Sequence, residues 1–212
     1  MTDAFHPLDL TDSLNAGTGN IRAAAGWHWP APRDEPHQTD LHRLPAGECR
    51  FWGIPFSLAP TTAPQRFVGV AGGDGAVAAA EFSVDRKARR ILFAHACAPC
   101  GGGVTMEGVG DSIGTYTITY EGGSQVAQAL RRRFEIHDVR VTWGHHPFLC
   151  RNCREFVSVP LGSLAGQWGR VQTGVDTAGG DDLTGWWLFD WVNPFPDKVI
   201  REIRVEATAT AA

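Results

Sequence analysis

Nowhere in this chain does an apolar stripe with the helical period persist beyond about two turns. Short β-branched and aromatic runs recur instead, separated by clusters of glycine and proline. Gly 25 and Pro 13 together exceed a sixth of the 212 residues, and both residue types punctuate structure. Such a chain cannot build its core from helices, so its backbone groups must be satisfied by strand pairing. The fold class expected is all-β, an antiparallel β-sandwich or jelly roll with long loops at one end. Helix should stay under ~15%. One domain is expected over residues 1–206, loop-rich over 1–50 and ending in a frayed tail at 207–212.

The strand signals are clearest in the centre. Arg90–Ala96 is a short apolar run of the kind a buried strand shows. Thr115-Tyr116-Thr117-Ile118-Thr119-Tyr120 is β-branched and aromatic, and a turn at Glu121-Gly122-Gly123-Ser124 leads to a second run from Gln125, which reads as a hairpin. Val139–Trp143 alternates with period two. Trp186–Trp191 and Ile200–Val205 complete the pattern near the C-terminus; Trp187 and Trp191 share parity, so one face there is core. Residues 51–60 read as an extended strand interrupted by Pro55, hence an edge or bulged one. Further short candidates lie at 66–71 and 76–83.

Charge excludes some functions. A net charge of −4 and a pI near 6.0 do not suit a nucleic-acid binder. The cationic runs Arg86–Arg90 and Arg131-Arg132-Arg133 read as solvated strand ends. No stretch approaches the ~18–20 apolar residues of a membrane span. Met1-Thr2-Asp3-Ala4-Phe5-His6 has neither a basic region nor an apolar core, so no signal peptide is visible and the cytoplasm is the expected compartment.

Five cysteines include Cys97-Ala98-Pro99-Cys100 and Cys150-Arg151-Asn152-Cys153. Two such pairs suit a closed, structural four-thiolate zinc site. Disulfides and buried free thiols are the alternatives; reduced cytosolic thiols favour the metal. If strand 90–96 runs up, 115–120 down and 125–133 up again, both pairs fall at one end of the sandwich. Cys49 reads as a plain buried residue.

Eight tryptophans are many for this length, and sugar sites favour flat aromatic faces with a few polar groups beside them. Trp27, His28 and Trp29 form one loop cluster. Trp143, His145 and His146 form another, at the cysteine end. These six are the candidate ligand-binding residues. Asp181-Asp182, after two glycines, is a candidate calcium loop, although a solvated turn explains it as well. No Gly-x-Ser-x-Gly elbow, phosphate loop or His-Glu-x-x-His is present, so no catalytic signature is read.

Several stretches, in order, resemble the galactose-binding-like β-sandwich modules attached to many bacterial glycoside hydrolases. They are Pro7-Leu8-Asp9-Leu10, Phe51-Trp52-Gly53-Ile54-Pro55-Phe56, Lys87–Ala96, Gly114–Gly123 and Trp191-Val192-Asn193-Pro194-Phe195-Pro196-Asp197-Lys198-Val199-Ile200-Arg201-Glu202-Ile203. The resemblance implies a galactose-binding-like jelly roll that acts as a carbohydrate-recognition module, or as the non-catalytic subunit of a carbohydrate-processing assembly. Its partners would be a carbohydrate ligand and a glycoside hydrolase or other protein subunit. One fold hosts many functions, so two alternatives stand beside this. One is a small sugar-active hydrolase or lyase with its pocket at the cysteine-loop end and His145 or His146 as base. The other is a structural or oligomer-forming protein. The Asn193-Pro194-Phe195-Pro196 stretch also has a purely architectural reading, a rigid corner between strands.

Overall fold

A computed structural model describes residues 5–17, 45–72, 77–97, 108–141, 147–153, 183–184 and 186–208. Among these the only helical element is a 3₁₀ turn at Thr11–Ser13. The rest of the regular structure is strand: β1 Gly47–Phe51, β2 Ile54–Leu58, β3 Ala79–Arg86, β4 Arg90–His95, β5 Ser112–Tyr120, β6 Gln125–Arg131, β7 Arg140–Val141, β8 Cys150–Asn152, β9 Leu183–Thr184, β10 Trp187–Val192 and β11 Ile200–Ala207.

Two antiparallel sheets share the core, one ordered β3-β11-β5-β6 and the other β4-β10-β8. Alternation decides which side chains enter it. Tyr116, Ile118 and Tyr120 of β5 point inward, while threonines 115, 117 and 119 take the other face. From the facing sheet come Ile91 and Phe93 of β4 with Trp187, Phe189 and Trp191 of β10, and the buried His95 stacks on Tyr116 beside them. The shared parity of Trp187 and Trp191 is thus a core face, as expected. Leu188 is also buried, because the β1–β2 hairpin covers the outer side of this sheet with Phe51, Ile54, Phe56 and Leu58. The order is therefore hairpin, three-stranded sheet, four-stranded sheet.

Two details in β11 follow from strand geometry. Ile200 and Ile203 lie three apart yet are both fully buried, which strict alternation forbids. A bulge between Ile200 and Glu202 inserts the extra residue that turns both inward. Arg201, set beside it, bridges Asp85 at 3.0 Å and Glu121 at 2.6 Å. Opposite the far end of β11, a Cβ on Gly114 would stand 2.8 Å from the Glu206 carbonyl oxygen, so the close approach of β5 and β11 requires glycine.

The corner after β10 is locked by one side chain. Asn193 is 4% exposed. Its Oδ1 accepts from the Tyr120 hydroxyl at 2.5 Å and from the Phe195 amide at 2.9 Å, and its Nδ2 donates to the Ala88 carbonyl at 2.7 Å. The architectural reading of this motif is sufficient. Asp190 pairs with Arg90 across the strands.

The strand expected over 51–60 is a hairpin. Trp52 and Gly53 both take positive φ, 55° and 80°, as a tight two-residue turn needs, and Pro55 sits in β2 opposite Arg50. Of the 66–71 candidate, only a bridge from Phe67 to Ala16 forms, and the 76–83 strand begins at Ala79. Val139–Trp143 contributes the short β7, paired with β9. No described helix is long and apolar enough to cross a membrane.

Candidate functional site

β4 runs up to His95, β10 runs down from Trp187 beside it, and β8 runs up on the other side of β10. In the second sheet β5 runs down and β6 returns upward. Cys97, the 132–139 turn and the 147–153 segment therefore meet at one end, as the sequence argument placed them. The 132–139 turn is held from several sides. The Glu135 carboxylate accepts from the Arg131 amide at 3.0 Å, its Nε at 3.1 Å and its Nη2 at 2.5 Å. Burial pulls the Glu135 carboxyl upward, but the bonds from Arg131 outweigh it and hold the group below the usual carboxylate range. Cys97 and its neighbours zip onto the turn through Cys97 N to His137 O at 3.0 Å and Val139 N to Cys97 O at 2.9 Å.

Beneath the turn lies His95, 8% exposed and stacked among Phe93, Tyr116 and Phe189. Its Nε2 lies 2.9 Å from the Glu135 carbonyl oxygen, which can only accept, so Nε2 carries the proton. Nδ1 then accepts from the Tyr116 hydroxyl at 2.9 Å. Burial drives its pKa down to about 4, against the opposing pull of the Glu135 carbonyl and carboxylate. This histidine is a neutral structural post.

On the solvent side the turn builds an aromatic surface. The Phe148 amide donates to Arg133 O at 2.9 Å and the Leu149 amide to Phe134 O at 3.1 Å, which ties 147–149 to the turn. The Phe134 and Phe148 rings then meet with centroids 5.0 Å apart and planes tilted by 45°. The Arg131 guanidinium stands 4.5 Å over Phe134 and that of Arg133 5.4 Å over Phe148. Phe148 is 61% and Leu149 53% exposed, which is unusual for adjacent apolar residues on a rigid segment. Around the β8 edge, Arg151 stands 5.8 Å over Trp52, itself 36% exposed. Arg133 holds φ at +66°, a conformation that side-chain-bearing residues adopt rarely, and it does so at this surface.

The cysteines distribute across the sheet. Cys97 and Cys150 share the sandwich core, whereas Cys153 lies in the outer cluster with Phe51, Leu188 and Cys49. Strand alternation explains the split, since residues three apart on an extended chain face opposite ways. Cys97 Sγ lies 3.3 Å from Asp138 Oδ1 and 3.4 Å from Arg132 Nη1, and Arg132 pairs with Asp138. Burial raises all three thiols, Cys150 to about 12. Among the described residues no three His, Cys, Asp or Glu side chains are grouped to hold a metal ion. Cys100 lies outside the described residues. So do Trp27, His28, Trp29, Trp143, His145, His146 and the Asp181-Asp182 pair.

Arg131-Arg132-Arg133 departs from a solvated strand end. Arg132 is turned inward at 12% side-chain exposure, and its two neighbours lie on phenylalanines. Phe134, Phe148, Leu149, Trp52 and Arg151 were not among the sequence candidates. The available signal was the interleaving of Arg131–Arg133 with Phe134 and the apolar pair directly after Pro147. No protein-family model, curated protein or solved structure matches this chain.

Proposed function

We propose that this protein is a carbohydrate-recognition module, or the sugar-binding subunit of a carbohydrate-processing assembly, with its binding surface at the cysteine-loop end. The observation that carries the reading is the exposed, backbone-clamped Phe134–Phe148 surface with Leu149 beside it. A pyranose ring presents an apolar face that stacks on a flat aromatic, and a preordered platform loses little entropy on binding. The sequence resemblance to galactose-binding-like modules supports the same function. Trp143, His145 and His146 fall in sequence between β7 and Pro147, outside the described residues; they are proposed to extend this surface, and Trp27, His28 and Trp29 to add to it. A glycan array with the purified chain tests the reading: retention of a carbohydrate class that is weakened in Phe148→Ala supports it, and no retention at any position overturns it.

Zinc on Cys97, Cys100, Cys150 and Cys153 is a second proposal, favoured by the meeting of Cys97 and Cys150 in one buried cluster. It requires Cys153 to turn from the outer face toward its partners. About one zinc per chain, lost in Cys153→Ser, supports it; five titratable thiols and no zinc overturn it.

A further inference from the structure

The platform is cationic as well as aromatic, although the whole chain carries a net charge of −4. Segments 131–139 and 147–153 hold Arg131, Arg132, Arg133 and Arg151 against Glu135 and Asp138. Those two carboxylates are consumed inside the fold, by Arg131 and Arg132 respectively. Arg131 engages Glu135 through Nε and Nη2, which leaves Nη1 for other contacts, and its side chain is 42% exposed. Arg151, on β8, is exposed, stands over Trp52 and has no carboxylate partner among the described residues. Arg50 lies at the Trp52 turn, where it donates to the Gly53 carbonyl at 3.0 Å. Asp111, on the turn bonded to the Arg132 amide, and Glu48, on β1 with Arg50, are exposed acids among the described residues. Guanidinium groups thus bracket both exposed aromatic surfaces, Phe134–Phe148 and Trp52.

We infer that the ligand is an acidic saccharide, a uronate-bearing oligosaccharide whose sugar face stacks on Phe148 while its carboxylates meet Arg151 and Arg131. The inference rests on the carbohydrate-binding reading and narrows it. A guanidinium fork matches a carboxylate in two parallel hydrogen bonds, and an aromatic ring beneath holds the fork in place. Carboxylates spaced along an oligosaccharide suit cations that stand on separate strands, Arg131 at the end of β6 and Arg151 on β8, better than one compact anion does. A neutral sugar would leave these arginines in water and use the aromatic surface alone.

The test is calorimetric titration of the full chain with galacturonate, glucuronate and mannuronate oligosaccharides and with neutral oligosaccharides of equal length, at low and high salt. At least one uronate series should bind about tenfold or more tighter than the neutral sugars, the ratio one charge-assisted hydrogen bond supplies. Raising salt should erode that preference. Arg151→Glu, which reverses the charge at an exposed position, should abolish the preference. Phe148→Ala should weaken every sugar that binds. Equal affinity for uronate and neutral sugars, or a uronate preference that survives Arg151→Glu, overturns the acidic assignment and leaves the carbohydrate reading standing. No binding in either arm overturns the carbohydrate reading itself.

Discussion

His95 links the core to the candidate surface, and its protonation supplies a test with a calculable size. The ring is buried in a pile of aromatics, with Nε2 donating to Glu135 O and Nδ1 accepting from Tyr116. A second proton would have to displace the Tyr116 hydroxyl hydrogen and charge a group that has lost its water. Its pKa accordingly falls from 6.5 to about 4 on folding. A depressed folded pKa means that the unfolded chain binds the proton more readily. Stability from this group is therefore complete above about pH 6.5 and declines as pH falls toward about 4. Between about pH 7.5 and about pH 4.5 the loss should be ~2.5 kcal/mol from His95 alone. Urea unfolding across this range would read it, with His95→Gln separating this histidine from the carboxylates that titrate below. The variant should be ~2–4 kcal/mol less stable at neutral pH, because two buried partners are left imperfectly matched. Its stability should also fall less steeply with acid. If the variant is too unstable to measure, NMR titration of the wild-type ring gives the pKa directly. Parallel pH curves for the two proteins, or a ring that titrates near 6.5, would refute the buried neutral post.

Three further expectations concern the frame. Gly114→Ala should destabilise by ~1–3 kcal/mol, since the new Cβ meets the Glu206 carbonyl at 2.8 Å and the strands must part; an unchanged thermal midpoint would show that the sheet yields freely. Asn193→Ala should cost ~2–4 kcal/mol by stranding the Tyr120 hydroxyl and the Ala88 carbonyl, and Tyr120→Phe only ~1 kcal/mol, with chemical denaturation ranking the two. Arg201→Ala should cost less than ~1 kcal/mol, because both of its ion pairs are solvent-exposed; a larger loss would mean that the bulge depends on the side chain.

The parts of this fold legible in the sequence are those where local chemistry and tertiary burial agree. The β5–β6 hairpin announces itself through alternating threonine and aromatic residues around Gly122-Gly123, both at positive φ. β4, β10 and β11 follow from compact apolar or alternating runs, and their order places the loops at one end. The β1–β2 hairpin was not legible, since its turn puts positive φ on Trp52, a residue that carries no turn signal. β7 falls within the period-two run at 139–143, but its partner β9 lies a long interval of chain away, and two residues leave no period to detect. The platform was hidden for another reason. Arg131–Arg133 resembles any charged strand end until Glu135 and Asp138 turn back to bind Arg131 and Arg132 and so fix the surface. The cysteine spacing carried information about sequence distance but none about sheet faces, and it is the faces that separate Cys150 from Cys153.

The central claim is that sugars dock on the Phe134–Phe148 end of the sandwich, and NMR mapping of the full chain during titration with a bound oligosaccharide tests it most directly. The account predicts saturable shifts at residues 131–134 and 147–151 and at the Trp52 indole, with the Asn193 corner at the opposite end unmoved. Saturable shifts confined to the Asn193 corner or to the threonine face of β5, with Phe148 and Arg151 silent, would contradict it.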